Sequence, residues 1–245
     1  MKSIAALAAS QATSAAANAP PVRLVVLDVG GTIIQDRGDV PVALRKAFGN
    51  HGLEVDAAEI VAWRGASKRD MVRHFVDLRT KSAAADQAKL SDAIYADFSA
   101  QLDAAYNTAQ PIVGVEEAFA QMRAAGLLLA TTSGFDRELT ASMFRRLKWQ
   151  EFFVASISGQ DVALGRPAPF MIFHAMEAAR ITNVGQVVAV GDTPLDLQSG
   201  NNAGVRGVVG VLTGAGTAEA LRKERHTHIL DSVASLPKLL STDFL

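Results

Sequence analysis

The sequence predicts an α/β protein: a doubly wound parallel sheet with an all-helical segment inserted after the first strand. Three observations carry this reading. Short β-branched and aliphatic runs, bounded by glycine or polar clusters, alternate with amphipathic helical patterns through the second half of the chain. The stretch from about Val40 to Gln110 has helical periodicity and no strand signal. Several apolar runs end abruptly in acids, hydroxyls and glycines, the residue types that open parallel sheets gather at their carboxyl edge.

Residues 1–21 differ in kind from the rest. Nine of the first twenty residues are Ala, and the stretch ends at Pro20-Pro21, so a weakly ordered N-terminal tail is expected. A signal peptide would need a longer apolar core than Ile4–Ala9, which Ser10 and Gln11 interrupt. A cytoplasmic location is therefore expected, with export through the Ala-rich N-terminus as the alternative.

The first strand is Leu24–Asp28, an apolar run closed by an acid, Gly30, Gly31 and Thr32. In the helical insertion, Val42, Leu44, Ala47 and Phe48 mark one face and Gly52 a stop. Asp56 and Glu59 form a capping-box pattern before Ile60 and Trp63. Ser67 is an N-cap candidate for a helix with Met71, Phe75 and Leu78 on its apolar face. A longer helix, about Ala84 to Tyr106, repeats Leu90, Ile94, Phe98 and Leu102 every four residues. Strands then follow at Leu127–Thr132, Phe153–Ile157 and Val187–Val190, with edge strands at Val208–Leu212 and His228–Leu230. Helices Glu116–Ala125, Arg137–Leu147, Ala168–Ala179 and about Ala218–Lys223 separate them. This divides the chain into a core of residues 22–35 and 111–245 and a helical cap of residues 36–110.

Composition excludes several functions. With 49% hydrophobic and 20% charged residues the chain is an ordinary globular one, and its net charge of −1 gives no basic surface for nucleic acid. No cysteine is present, which removes disulfides, thiolate catalysis and thiolate metal sites. No apolar run approaches the ~18 residues of a membrane span. A homodimer is left open.

Four segments bring chemistry to one sheet edge. Asp28 can be a nucleophile or a metal ligand, and the glycines after it admit close approach of an anion. Thr132, Ser133 and Gly134 offer hydroxyls and backbone donors to a phosphoryl oxygen, although strand-to-helix capping explains such a pair equally well. Arg166, in Gly165-Arg166-Pro167, has the plain reading of a solvated charge. Asp192 and Asp196 have the plain readings of an N-cap and a helix-surface charge. Their recurrence at one edge favours a phosphoryl site over four separate accidents.

This ordered set resembles the haloacid dehalogenase-like hydrolases. Asp28-Val29-Gly30-Gly31-Thr32 is similar to that family's first motif, Thr132 to its second, Arg166 to its third, and Gly191-Asp192 through Asp196 to its fourth. The resemblance spans Leu24 to the C-terminus and implies a Rossmann-like core with a helical cap. It implies that Asp28 attacks phosphorus to give an aspartyl-phosphate. Mg2+ would be held by Asp28, the Gly30 carbonyl and Asp192, with Asp196 as a further candidate ligand. Thr132, Ser133, Arg166 and Gly31 would bind the phosphoryl group, and the expected partner is a small phosphorylated molecule.

Gly30 stands where most phosphatases of the family carry an aspartate that protonates the leaving alcohol. In this the chain resembles the phosphonatase-like subgroup, in which a cap lysine forms a Schiff base with an aldehyde such as phosphonoacetaldehyde. Lys68, in Gly65-Ala66-Ser67-Lys68, falls at the matching place, while a solvated face on a first helical turn is its plain reading. The subgroup's cap methionine and histidine are Arg64 and Met71 here, and its tyrosine after the second motif is Phe135. For a Schiff-base lysine, Arg64 or Arg69 could supply a cationic neighbour that lowers its pKa. A phosphomonoesterase resembling phosphoglycolate phosphatase is the alternative, and a non-catalytic phosphate binder a third class. Retention of Asp28 argues against the binder.

Overall fold

The computed structural model describes residues 20–61 and 63–244. Residues 1–19, most of the expected N-terminal tail, lie outside the described residues. Six parallel strands, β1 (Leu24–Asp28), β2 (Leu128–Ser133), β3 (Ala155–Ser158), β4 (Val187–Gly191), β5 (Gly207–Val211) and β6 (His228–Leu230), form one sheet in the order β3-β2-β1-β4-β5-β6. Every residue of β1 is buried. Alternation of side chains splits the strand between two cores. Val25 and Leu27 face one hydrophobic cluster, Leu24 and Val26 the other.

The chain runs outward from β1 through β2 to β3 and then returns to β4 on the other side of β1. The carboxyl edge between β1 and β4 is thus the reversal point where such sheets open a crevice. Register places Asp28 opposite Thr132 and Leu27 opposite Val190, so Asp192 emerges one step beyond the level of Asp28.

Between β1 and β2 lie four helices, α1 (Asp39–Asn50), α2 (Ala57–Val61), α3 (Lys68–Arg79) and α4 (Ala84–Tyr106), before α5 (Val115–Ala124). Their apolar stripes meet one another: Leu44, Ala47 and Phe48 of α1, Met71, Val72, Phe75 and Val76 of α3, and Ile94, Phe98 and Leu102 of α4 are buried. The rings of Phe48 and Phe75 pack edge to face at 5.9 Å. The Ser67 hydroxyl accepts from Asp70 N–H at 3.3 Å and starts α3, and the Glu59 carboxylate accepts from Asp56 N–H at 3.0 Å at the start of α2.

After β2 come α6 (Arg137–Leu147), α7 (Phe170–Ala178), α8 (Pro194–Ala203), α9 (Ala218–Lys223) and α10 (Leu236–Asp243). On one face of the sheet, Phe119 of α5 meets the rings of Trp149, Phe152 and Phe153 at 5.1–5.3 Å. Among the described residues no helix is long and apolar enough to cross a membrane.

The structure corrects several expectations. Val42 is 69% exposed, because it sits two residues, or roughly 200° of helical rotation, from Leu44. Leu78 is 60% exposed, because the buried stripe of α3 is centred between Met71/Phe75 and Val72/Val76 and leaves it at the margin. β5 is an interior strand, buried throughout between β4 and β6, and only β6 is the edge on that side. β3 begins at Ala155 because Phe153 turns into the aromatic cluster, stacked on Phe144 at 5.1 Å. No helix was expected at α10.

Removing the hub of that cluster tests the packing. Phe119→Ala should lower unfolding free energy by about 3–5 kcal/mol in urea titration, the usual cost of deleting a fully buried ring.

Candidate active site

The β1 backbone delivers Asp28, 5% exposed, to the crevice, and two further carboxylates join it. One oxygen from each of Asp28, Asp192 and Asp196 lies within 4.8 Å of the others. A single guanidinium ties two of them together. Arg166 Nη1 lies 2.7 Å from an oxygen of Asp28 and 2.7 Å from one of Asp196. Its Nη2 donates to the Thr132 carbonyl at 2.9 Å and to the Thr132 hydroxyl at 2.7 Å. Because that hydroxyl accepts from Arg166, its own proton is directed elsewhere.

The plain readings of Arg166 as a solvated charge and Asp196 as a helix-surface charge are overturned, since both are buried. Asp196 does keep a capping role. Its second oxygen accepts from Thr193 N–H at 2.9 Å and from the Thr193 hydroxyl at 2.5 Å, closing a capping box on α8. It thereby couples the start of α8 to Arg166. Asp192 accepts from Ala215 N–H at 2.7 Å and from the Thr32 hydroxyl at 3.3 Å.

Three buried carboxylates facing one guanidinium are short of positive charge. Burial, opposed by Arg166 and reinforced by the Asp196 charge, pushes the Asp28 carboxyl up to about 6. Burial and then the Asp28 charge push Asp192 well above the usual carboxylate range. This oxygen-rich, over-acidic donor set suits a hard divalent cation.

The glycines make room for this crowding. Gly31 has φ +85°, and a Cβ there would fall 2.5 Å from an Asp192 oxygen and 2.8 Å from Gly214 Cα. Its N–H, expected to meet phosphate, donates instead to the Ile34 carbonyl at 2.7 Å, and its carbonyl accepts from Thr213 at 2.6 Å. What Gly31 contributes here is space. Ser133, 1% exposed, uses its hydroxyl to accept from Phe135 N–H at 3.0 Å, a local turn ahead of α6 rather than its N-cap, which is Asp136.

Lys68 is the largest departure from a bland reading. It opens α3 yet is only 8% exposed, and it lines the same cavity as Asp28, Arg64, Tyr106, Phe135 and Arg166. Its ammonium donates to the Ala66 carbonyl at 3.0 Å. Gly134 permits this docking: a Cβ there would lie 2.7 Å from the Ala66 carbonyl oxygen and 3.3 Å from Lys68 Nζ. Burial lowers the Lys68 pKa to about 8 against the pull of Asp28, and the cationic contribution comes from Arg166. Arg64 and Arg69, the neighbours expected to play that part, are engaged elsewhere. Arg64 donates to the Ala215 carbonyl at 3.1 Å, and Arg69 stacks 4.0 Å over Tyr95.

Sequence reasoning missed Tyr106 and Asp36 as cavity-lining residues, along with the part played by the loop at Thr213–Ala215 in holding Asp192. The last was within reach, because Thr213 and Gly214 follow β5 at the same carboxyl edge. The others depend on how the helical insertion folds back over β1.

Comparison with known proteins agrees with this geometry. Residues 25–210 match the model of a family described as haloacid dehalogenase-like hydrolase. Phosphonoacetaldehyde hydrolase of Latilactobacillus sakei is 30% identical over 197 residues, 75% of this chain and 73% of that protein. The enzyme of the same name from Bacillus cereus strain B4264 is 28% identical over 89% of this chain and 85% of its own length. A crystal structure of a phosphonoacetaldehyde hydrolase-like protein from Oleispira antarctica superposes with a TM-score of 0.78 at 23% identity. The superposition covers 91% of this chain and 92% of that one.

The close approach at Gly31 can be separated from backbone strain. Gly38→Ala, at φ +76° with nothing within 4 Å, should cost only the roughly 1–2 kcal/mol of a left-handed alanine. Gly31→Ala should lose visibly more in the same denaturant titration, because it also displaces Asp192.

Proposed function

The chain belongs to the haloacid dehalogenase-like hydrolases, and on that premise we propose that it is a Mg2+-dependent hydrolase of a small phosphonate aldehyde, working through covalent phosphoryl transfer to Asp28. The observation that carries the proposal is the burial of Lys68, with its lowered pKa, in the cavity of Asp28. A solvated surface lysine would have neither property. In this reading the helices of residues 36–110 are a cap that brings Lys68 over the core residues.

Neutral Lys68 Nζ adds to the aldehyde carbon, and loss of water with uptake of one proton from solvent leaves a protonated imine. An Asp28 oxygen then forms a bond to phosphorus while the phosphorus–carbon bond breaks. Its electron pair flows into the iminium to give an enamine, so no oxygen leaving group needs a proton and the glycine at position 30 is no handicap. Water hydrolyses the phosphoryl-aspartate. Protonation of the enamine carbon and hydrolysis of the resulting imine return Lys68. The Thr132 hydroxyl, already accepting from Arg166, donates to a phosphoryl oxygen, and the Arg166 charge offsets the negative charge gathered around Asp28. Asp196 positions Arg166. Asp28, Asp192 and the Gly30 carbonyl would hold Mg2+, whose charge would offset that of the carboxylates and of a phosphoryl group.

The phosphomonoesterase reading keeps some support from Arg64, Met71 and Phe135, which replace the methionine, histidine and tyrosine of the phosphonatase pattern. Borohydride separates the two. With phosphonoacetaldehyde present it should trap an adduct on Lys68, located by peptide mass spectrometry, and inactivate the protein. Lys68→Arg should be inactive, because a guanidinium cannot form the imine. No adduct, with phosphate esters still cleaved by Lys68→Arg, favours the phosphomonoesterase.

pH gives a second check. Lys68 attacks only when neutral, so kcat/KM for the aldehyde should fall about tenfold per unit as pH drops below about 8, and level off above it. Removal of Mg2+ by chelator should abolish phosphate release and its return should restore it, whereas Asp28→Asn should stay inactive at any Mg2+ concentration.

A further inference from the structure

Gly30 is not among the glycines with positive φ. Its backbone can therefore carry an ordinary side chain, and turn geometry does not explain the glycine. The obstacle lies across the cavity. A Cβ at position 30 would sit 3.1 Å from both Cε2 and Cζ of Phe135, closer than real Cβ contacts normally run. Phe135 is 7% exposed, and it is held from three directions. Its N–H is bound by the Ser133 hydroxyl, its ring packs edge to face on Tyr106 at 5.2 Å, and Lys68 Nζ lies 5.9 Å from the ring centre. To admit a side chain at position 30 the ring has to give by a few tenths of an ångström against these neighbours.

We propose that Phe135 is a specificity-determining residue, whose ring occupies the room that an acid at position 30 would need and so keeps the site unable to protonate an alkoxide leaving group. This rests on the proposed function, in which the leaving group departs as an enamine. Phe135 touches neither reacting bond. It acts by excluding a side chain, which ties the glycine at 30 and the aromatic at 135 into one pair: neither can change usefully alone. A carboxyl group introduced at position 30 would, if given room, donate its proton to the leaving oxygen of a phosphate monoester as the phosphorus–oxygen bond breaks and Asp28 bonds to phosphorus.

The experiment compares Gly30→Asp, Phe135→Leu, Phe135→Tyr and the doubles G30D/F135L and G30D/F135Y. Glycerol 3-phosphate needs leaving-group protonation and 4-nitrophenyl phosphate does not, so the ratio of their kcat/KM values reports acid catalysis. General acids are worth ~10²–10⁴-fold. Gly30→Asp alone and G30D/F135Y, which keeps the ring, should leave the ratio within about threefold of the starting protein. G30D/F135L should raise it by about 100-fold or more, with a new fall in rate on the alkaline side. A full rise in Gly30→Asp alone overturns the proposal, as does no rise in G30D/F135L.

A second arm is independent of activity. Gly30→Ala should lower the thermal midpoint when Phe135 is present, and the loss should vanish in the Phe135→Leu background. Equal effects in both backgrounds overturn the proposal. If no variant and no parent releases phosphate from any substrate, the proposed function has failed, and the thermal cycle alone decides whether the ring excludes a side chain at 30.

Discussion

Buried negative charge organises this molecule. Asp28, Asp192 and Asp196 are drawn into a crevice at the centre of the sheet, where isolated carboxylates would be expensive to ionise. Arg166 offsets part of that cost by touching two of them and anchoring to Thr132 on the neighbouring strand. The parallel register of β1, β2 and β4 makes the convergence possible by bringing Asp28 level with Thr132 and Asp192 one step beyond them. The remaining excess of negative charge suits a divalent cation, so what is least comfortable for the bare fold is what a bound metal would relieve.

Small residues are the structural counterpart of that charge. Gly31 lets Asp192 and the loop at Gly214 approach β1, and a Cβ at Gly191 would strike the Asp196 side chain. Gly134 lets the turn before α3 settle on the end of β2, which is how a residue from the helical insertion reaches the core crevice. The desolvation that lowers the Lys68 pKa is thus a consequence of backbone packing at Gly134 as much as of the lysine's own position.

Most of the core was legible because its signals are local. The run Leu24–Asp28 with two glycines after it specifies a buried strand end, and the four-residue repeat from Leu90 to Leu102 specifies α4 with little ambiguity. Asp28, Thr132 and Asp192 could be gathered in advance because strand ends in a parallel sheet share an edge, and Arg166 because its loop leaves β3 at that edge. Burial was harder to read. Val42 and Leu78 fit an apolar pattern by type but lie off the contacted stripe, and Lys68 looks like a surface charge in sequence although it is enclosed. Whether a charged residue is solvated depends on which segments fold back over it. The pairing of Gly30 with Phe135, 105 positions apart, has no local signature at all.

The central claim is that Lys68 is held in low-dielectric surroundings in the cavity of Asp28, ready to act as a neutral amine. NMR titration of protein carrying 13C-labelled lysine, with Lys68 assigned through Lys68→Arg, measures this directly. The account predicts a pKa near 8 for Lys68, falling further in Asp28→Asn because the Asp28 charge raises it. Titration near the ordinary lysine value of ~10.4, unchanged by Asp28→Asn, would contradict it.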